Sequence, residues 1–238
     1  MLVDLTLKYP KRAGFCYDMN FIALLTGMRT RVKICGITRA EDGRAAARAG
    51  ADAIGLVFYL KSPRYVAVQQ AQAICRELPP FVSVVALFVN ALREQVAEVL
   101  DSVPVDLLQF HGTEQAEQCT GFGRPYIKAI AMKEGCDPLS TMKEHPEASG
   151  FLLDAWQPEL HGGGGVTFDW AQIPERSVKP MILAGGLTAE NISQAVARTR
   201  PFAVDVSSGV ESDKGIKSVE KIQAFMRGVE RGDASQAN

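Results

Sequence analysis

Val32-Lys-Ile-Cys-Gly-Ile-Thr38 is a short apolar run that stops on a thiol. Gly36 turns the backbone behind it, and Thr38 stands where a helix over residues 40–49 would be capped. The carboxyl end of a buried strand is where α/β proteins place their chemistry. Cys35 is therefore either the inert buried thiol that most free cysteines are, or a base made available by Lys33 or by the following helix N-terminus. Asp154 closes a second apolar run, Phe151-Leu-Leu. An apolar setting favours the proton-bearing form of a carboxyl group and suits it to general acid work; a helix cap or an ion pair is the competing reading.

Three further groups sit in comparable places. Arg64, in Lys61-Ser-Pro-Arg-Tyr65, suits a substrate carboxylate, against the usual solvated arginine. His111 is either a polar wall of a site or a satisfied histidine at a barrel mouth, and Thr113 after it is a candidate helix cap. His145 and His161 lie in polar segments and do not pair with His111 at metal-ligand spacing, so no metal is expected. Lys33 and Asp205 are suited to a buried ion pair, as architecture more than chemistry. A Schiff-base lysine at Lys33 or Lys128 stays open. Three glycine-bearing turns complete the set: Gly162–Gly165 (with Gly163, Gly164 and Gly165), Ala184-Gly185-Gly186-Leu187, and Ser207-Ser208-Gly209-Val-Glu211. Such turns leave backbone N–H groups open to an anion, and barrels hold phosphate on the loops after their seventh and eighth strands. No cluster of Lys or Arg accompanies them, so backbone amides are expected to do most of the anion binding.

The elements that must position these groups alternate. Strands are expected over 31–35, 52–58, 82–88, 105–110, 126–130, 150–154, 180–184 and 202–207. Helices are expected near 39–49, 67–77, 91–101, 113–121, 137–144, 168–174, 188–198 and 215–229. The strands are apolar on both faces, the mark of a parallel sheet covered by helices. Eight such units predict an α/β fold, a single (β/α)8 barrel. An open doubly wound sheet is the alternative, weakened by the lack of G-x-G-x-x-G after the first strand. The barrel is expected over 28–230, with a frayed polar tail at 231–238.

Bulk composition narrows the function. Lys plus Arg number 26 against 27 Asp plus Glu, so no global field favours nucleic acid or an anionic membrane. No apolar stretch approaches the roughly 20 residues that span a bilayer. The cysteines (Cys16, Cys35, Cys75, Cys119, Cys136) form no C-x-x-C and leave an odd one over, which points to a reducing cytoplasm. Residues 1–27 lack a cleavage pattern and read as an extension ahead of a functional start at Met28.

Eight segments together carry a resemblance. Val32–Arg39, Gly50–Tyr59, Ser62–Tyr65, Gln109-Phe-His-Gly112, Leu153-Asp-Ala, Gly162–Trp170, Leu183–Leu187 and Phe202–Glu211 resemble phosphoribosylanthranilate isomerase, in order, over about 29–229. The resemblance implies a (β/α)8 barrel that performs an Amadori rearrangement in tryptophan biosynthesis, with a small-molecule substrate and neither metal nor organic cofactor. It implies Cys35 as general base, Asp154 as general acid, Arg64 facing the anthranilate carboxylate, and the late glycine turns holding the phosphate. Oligomeric state is left as monomer or homodimer. A different phosphosugar barrel enzyme and a non-catalytic phosphometabolite-binding barrel are the alternatives; the second has no use for an acid–base pair. Two departures matter: Leu60 stands where Pro is common after Phe-Tyr, which should affect only loop stiffness, and Gly164 stands where the family usually has Thr or Ser. A weaker phosphate loop is expected, and Gly164→Ser should lower KM while leaving kcat unchanged.

Overall fold

The computed structural model describes residues 29–155, 167–174, 177 and 179–235. Eight parallel strands close on themselves in chain order: β1 (Arg31–Cys35), β2 (Ala53–Val57), β3 (Ser83–Phe88), β4 (Leu107–Phe110), β5 (Tyr126–Met132), β6 (Gly150–Ala155), β7 (Met181–Leu183) and β8 (Ala203–Val206). The seam joins the first strand to the last, with Lys33 opposite Asp205. Helices α1 (Ala40–Arg48), α2 (Val68–Arg76), α3 (Arg93–Ser102), α4 (Ala116–Cys119), α5 (Pro138–Glu144), α6 (Ile192–Thr199) and α7 (Val219–Ala234) follow strands 1 to 5, 7 and 8 respectively.

Strand periodicity sorts the side chains into two layers. Val32, Ile34, Ile54, Leu56, Phe88, Leu108, Phe110, Phe151, Leu153 and Val204 point outward into the strand–helix core. The alternate residues fill the barrel. Ile127, Ala129, Leu152, Ile182, Ala184 and Ala203 form its apolar floor, while Cys35, Val57, Leu87 and Val89 cluster nearer the mouth. The same parity carries Lys33, Gln109, Asp154 and Asp205 into the interior, which explains how polar groups survive within such apolar strands.

Several expectations change. The helix expected over 168–174 is one 3₁₀ turn, Trp170–Gln172, capped by Asp169 and stopped at Ile173 by the following Pro174. The helix expected over 113–121 shrinks to Ala116–Cys119 behind a Gln115 cap, and Thr113 instead donates to Asn90 Oδ1. Thr38 does not cap α1: Arg39 takes that position without a side-chain cap, and Thr38 donates to the Gly215 carbonyl. The helix expected over 215–229 begins only at Val219, after a hairpin of β9 (Glu211–Asp213) and β10 (Ile216–Lys217). It also runs on to Ala234, so residues 231–234 are helical instead of frayed. Asp233 there accepts hydrogen bonds from the backbone N–H and hydroxyl of Thr30 at 2.9 and 2.6 Å.

Lys128 leaves the list of reactive lysines. Its strand parity turns it out of the barrel, where its ammonium pairs with Glu114 at 3.1 Å and donates to the Gly112 carbonyl at 2.7 Å. Both side chains are buried, so the pair pins the loop after β4 and offers no free amine.

Candidate active site

One cavity opens at the carboxyl ends of the strands. Cys35, Arg64, His111, Asp154, Gly185, Gly186, Asp205, Ser207 and Ser208 all line it, together with Val57, Tyr59, Ser62, Leu87, Val89, Ala184, Leu187 and Val206. Gly209 lies just behind the wall, where a Cβ would come within 1.9 Å of the Leu187 carbonyl oxygen. Gly163, Gly164, Gly165 and His161 fall outside the described residues. The remaining expected site residues thus converge from β1, the loop after β2, β4, β6 and the last two strands.

Cys35 ends β1 with its thiol over Gly55, the opposite residue on β2. A Cβ at position 55 would sit 2.7 Å from the sulfur and 3.0 Å from Lys33 Nζ, so glycine there makes the room both groups occupy. Lys33 Nζ donates to Asp205 Oδ1 at 2.9 Å, as expected of a buried pair, and it also hydrogen-bonds the thiol. Burial works against the Lys33 charge, but Asp205 and Cys35 outweigh it and hold the ammonium above its ordinary range. Burial pushes the Cys35 thiol up; Lys33 pulls against this and Asp205 adds to it, leaving the thiol raised. Lys33, and not the helix N-terminus five residues on, is therefore the partner of a thiolate. Burial, with nearby carboxylates adding to it, drives Cys75 to about 11 and Cys119 to about 12, with no ammonium in hydrogen-bonding reach of either.

This arrangement has a pH consequence. Because an adjacent ammonium favours the thiolate, removing it must move Cys35 ionisation to higher pH. Lys33→Met alone would strand the buried Asp205 carboxylate, so the comparison uses Lys33→Met with Asp205→Asn. Lys33 acts more strongly on the thiol than Asp205 does, so the upward sign survives the double change. The rate of Cys35 alkylation by iodoacetamide, followed by peptide mass against pH, should rise at higher pH in the variant than in the wild type.

Asp154 ends β6. Its Oδ2 lies 3.0 Å from His111 Nε2, and His111 Nδ1 lies 2.8 Å from Gln109 Nε2. His111 is therefore both a wall of the cavity and a satisfied ring. Arg64 is not a free guanidinium: its Nε and Nη2 donate to Glu211 at 2.7 and 2.8 Å, and Lys217 Nζ donates to the same carboxylate at 2.8 Å. Burial opposes the charge on Glu211, yet the Arg64 and Lys217 hydrogen bonds hold its carboxyl below the usual range. Two cations on one carboxylate leave a net positive charge under the arginine, a suitable floor for an anion. Glu211 and Lys217 are the groups sequence reasoning missed here.

The rim opposite is built from glycine. Gly185 (φ +81°) and Gly186 (φ +62°) turn the chain after β7, and a Cβ on Gly185 would meet the Ala155 backbone nitrogen at 2.3 Å. The backbone N–H groups of both donate to no acceptor among the described residues. The Ser208–Val210 3₁₀ turn begins two residues after β8. These are the features of an anion cradle.

A family model described as N-(5′-phosphoribosyl)anthranilate (PRA) isomerase matches residues 32–228, spanning every strand and both rims of the cavity. The chain belongs to the PRA isomerase family. The PRA isomerase of Nitrosococcus oceani is 60% identical over 203 residues, covering 85% of this chain and 98% of that one. The PRA isomerase of Pseudomonas fluorescens is 59% identical over 205 residues, covering 86% and 98%. Among solved structures, the PRA isomerase of Thermotoga maritima superposes with a TM-score of 0.78 at 41% identity, covering 84% of this chain and 98% of that one. A PRA isomerase solved with reduced 1-(o-carboxyphenylamino)-1-deoxyribulose 5-phosphate superposes at 0.75 with 38% identity and the same coverage.

Proposed function

We propose that this PRA isomerase converts N-(5′-phosphoribosyl)anthranilate to 1-(o-carboxyphenylamino)-1-deoxyribulose 5-phosphate with Asp154 as general acid and Cys35 as general base. The observation that carries the assignment is their placement: both are buried, both line one cavity, and the strands that hold them, β6 and β1, are separated only by the two phosphate-type strands β7 and β8.

Asp154 gives its proton to the ribose ring oxygen as the C1′–O bond breaks, and the amine lone pair forms the C1′=N iminium. The Cys35 thiolate, held against Lys33, takes the C2′ proton; the freed pair forms C1′=C2′ and neutralises the iminium nitrogen. The enolamine then gains a proton at C1′ and loses one from the C2′ hydroxyl, giving the ketone. The cycle leaves Cys35 protonated and Asp154 ionised, and one proton exchanged through solvent restores both. The substrate's own nitrogen is the electron sink. Arg64, Lys217 and Glu211 form the cationic seat for the anthranilate carboxylate. Gly185, Gly186, Ser207, Ser208 and Gly209 present amides to the phosphate, joined by Gly163, Gly164 and Gly165, while His111 and Asp205 hold the reacting ends through Asp154 and Lys33. Both assigned groups come from one chain, so a single copy is a complete catalyst. A catalytic thiol and the free cysteines among the described residues support a reducing cytoplasm.

The test is to incubate the purified protein with N-(5′-phosphoribosyl)anthranilate, following anthranilate fluorescence and isolating the product by chromatography. Time-dependent formation of the ribulose phosphate, with no lysine trapped by borohydride, is the expected result. An essential lysine recovered as a reduced substrate adduct would overturn the acid–base assignment.

A further inference from the structure

We propose that Gln109 is a positioning residue for this reaction, an amide that turns to match either tautomer of His111 and thereby supports Asp154 both with and without its proton. The inference rests on reading Asp154 as the acid. Gln109 is fully buried on β4, two residues before His111, which directly follows the strand. Its Nε2 lies 2.8 Å from His111 Nδ1, and His111 Nε2 lies 3.0 Å from Asp154 Oδ2. Its Oε1 is buried without a hydrogen-bond partner among the described residues.

An amide nitrogen donates and does not accept. In the observed orientation Gln109 therefore donates to a bare Nδ1, the neutral imidazole carries its proton on Nε2, and that proton is given to the Asp154 carboxylate. This is the state that follows proton donation to substrate. Rotating the amide by half a turn reverses the chain of bonds. Oε1 then accepts Nδ1–H, and a bare Nε2 accepts from a protonated Asp154. This is the state that precedes donation. The two states differ by one proton, which leaves to the ribose ring oxygen and returns from solvent, while the ring proton changes nitrogen by exchange with solvent at the cavity.

The orphaned oxygen is what makes the amide a two-position element. A buried acceptor with no partner is unfavourable, and in either orientation one end of the amide binds His111 while the other end faces no partner among the described residues. Nothing described holds Gln109 one way, so the ring proton decides its orientation. A purely structural glutamine would have both ends tied down. An apolar residue of similar size would spare the fold the orphan altogether.

The experiment is nitrogen-15 NMR of histidine-labelled protein, whose chain contains 3 histidines, together with kinetics of Gln109→Leu. In the wild type both neutral tautomers of His111 should appear, one matched by each orientation of the amide. In Gln109→Leu the tautomer with a protonated Nδ1 should be lost, because that N–H has no acceptor, and kcat should fall about 10- to 100-fold with KM unchanged. A wild-type His111 confined to one tautomer, or a Gln109→Leu variant with unaltered signals or unaltered kcat, overturns the inference. The NMR result needs no turnover. If the tautomer follows Gln109 while Asp154→Asn keeps the wild-type rate, the acid assignment fails and the positioning role fails with it.

Discussion

Cys35→Ala should bind N-(5′-phosphoribosyl)anthranilate normally and turn it over about 10³- to 10⁴-fold more slowly, the upper range for loss of a general base. The thiol touches the reacting carbon's proton only after the ring has opened, so KM is expected to stay near the wild-type value. Cys35→Ser should rescue little. A hydroxyl hydrogen-bonded to Lys33 keeps its proton where a thiol gives it up, because alcohols ionise far less readily than thiols. Substrate deuterated at C2′ checks the step: the isotope effect should grow in Cys35→Ser, since proton removal then limits the rate. The fold should tolerate either change, at a cost of about 1 kcal/mol for a small cavity over Gly55. Wild-type rates in both variants would take the base away from Cys35.

Asp154→Asn should be almost as severe, about 10²- to 10⁴-fold in kcat. The amide keeps the shape and its oxygen still accepts from His111, so the cavity wall stands. What disappears is a proton for the ring oxygen, and the C1′–O bond must then break to an alkoxide. The C2′ isotope effect separates the two residues. It should vanish in Asp154→Asn, where ring opening limits the rate, and grow in Cys35→Ser. Removing both groups should cost little more than the larger of the two single losses, because the slower of two successive steps sets the rate.

The strand order, the closed barrel and the placement of Cys35, His111, Asp154 and Asp205 were legible in the sequence because each depends on local pattern. An apolar run of strand length ending on a polar residue puts that residue at the mouth. What was not legible depends on approach between distant segments. Gly55 looks like an ordinary strand glycine until β1 lies beside it with a thiol and an ammonium on one face. Lys217 falls in a stretch whose charges and spacing read as the start of a helix, and only the β9–β10 hairpin turns it in to Glu211. Arg64 was expected to wait for a carboxylate from the substrate, and the chain supplies one of its own in Glu211. Gln109 did leave a local sign: two residues before His111, it shares the inward face.

The seam between β1 and β8, clasped by Asp233 on Thr30, also dictates when the enzyme comes into being during synthesis. Cys35 emerges on the first strand of the barrel, but the carboxylate that holds its lysine partner emerges on the last. A nascent chain paused before β8 lacks Asp205 and has an open sheet, with two unpaired edges exposed to any neighbour. Parallel pairings between such remote segments form slowly. Closure of the β1–β8 seam is therefore the step that sets Asp205 against Lys33 and completes the surroundings of Cys35.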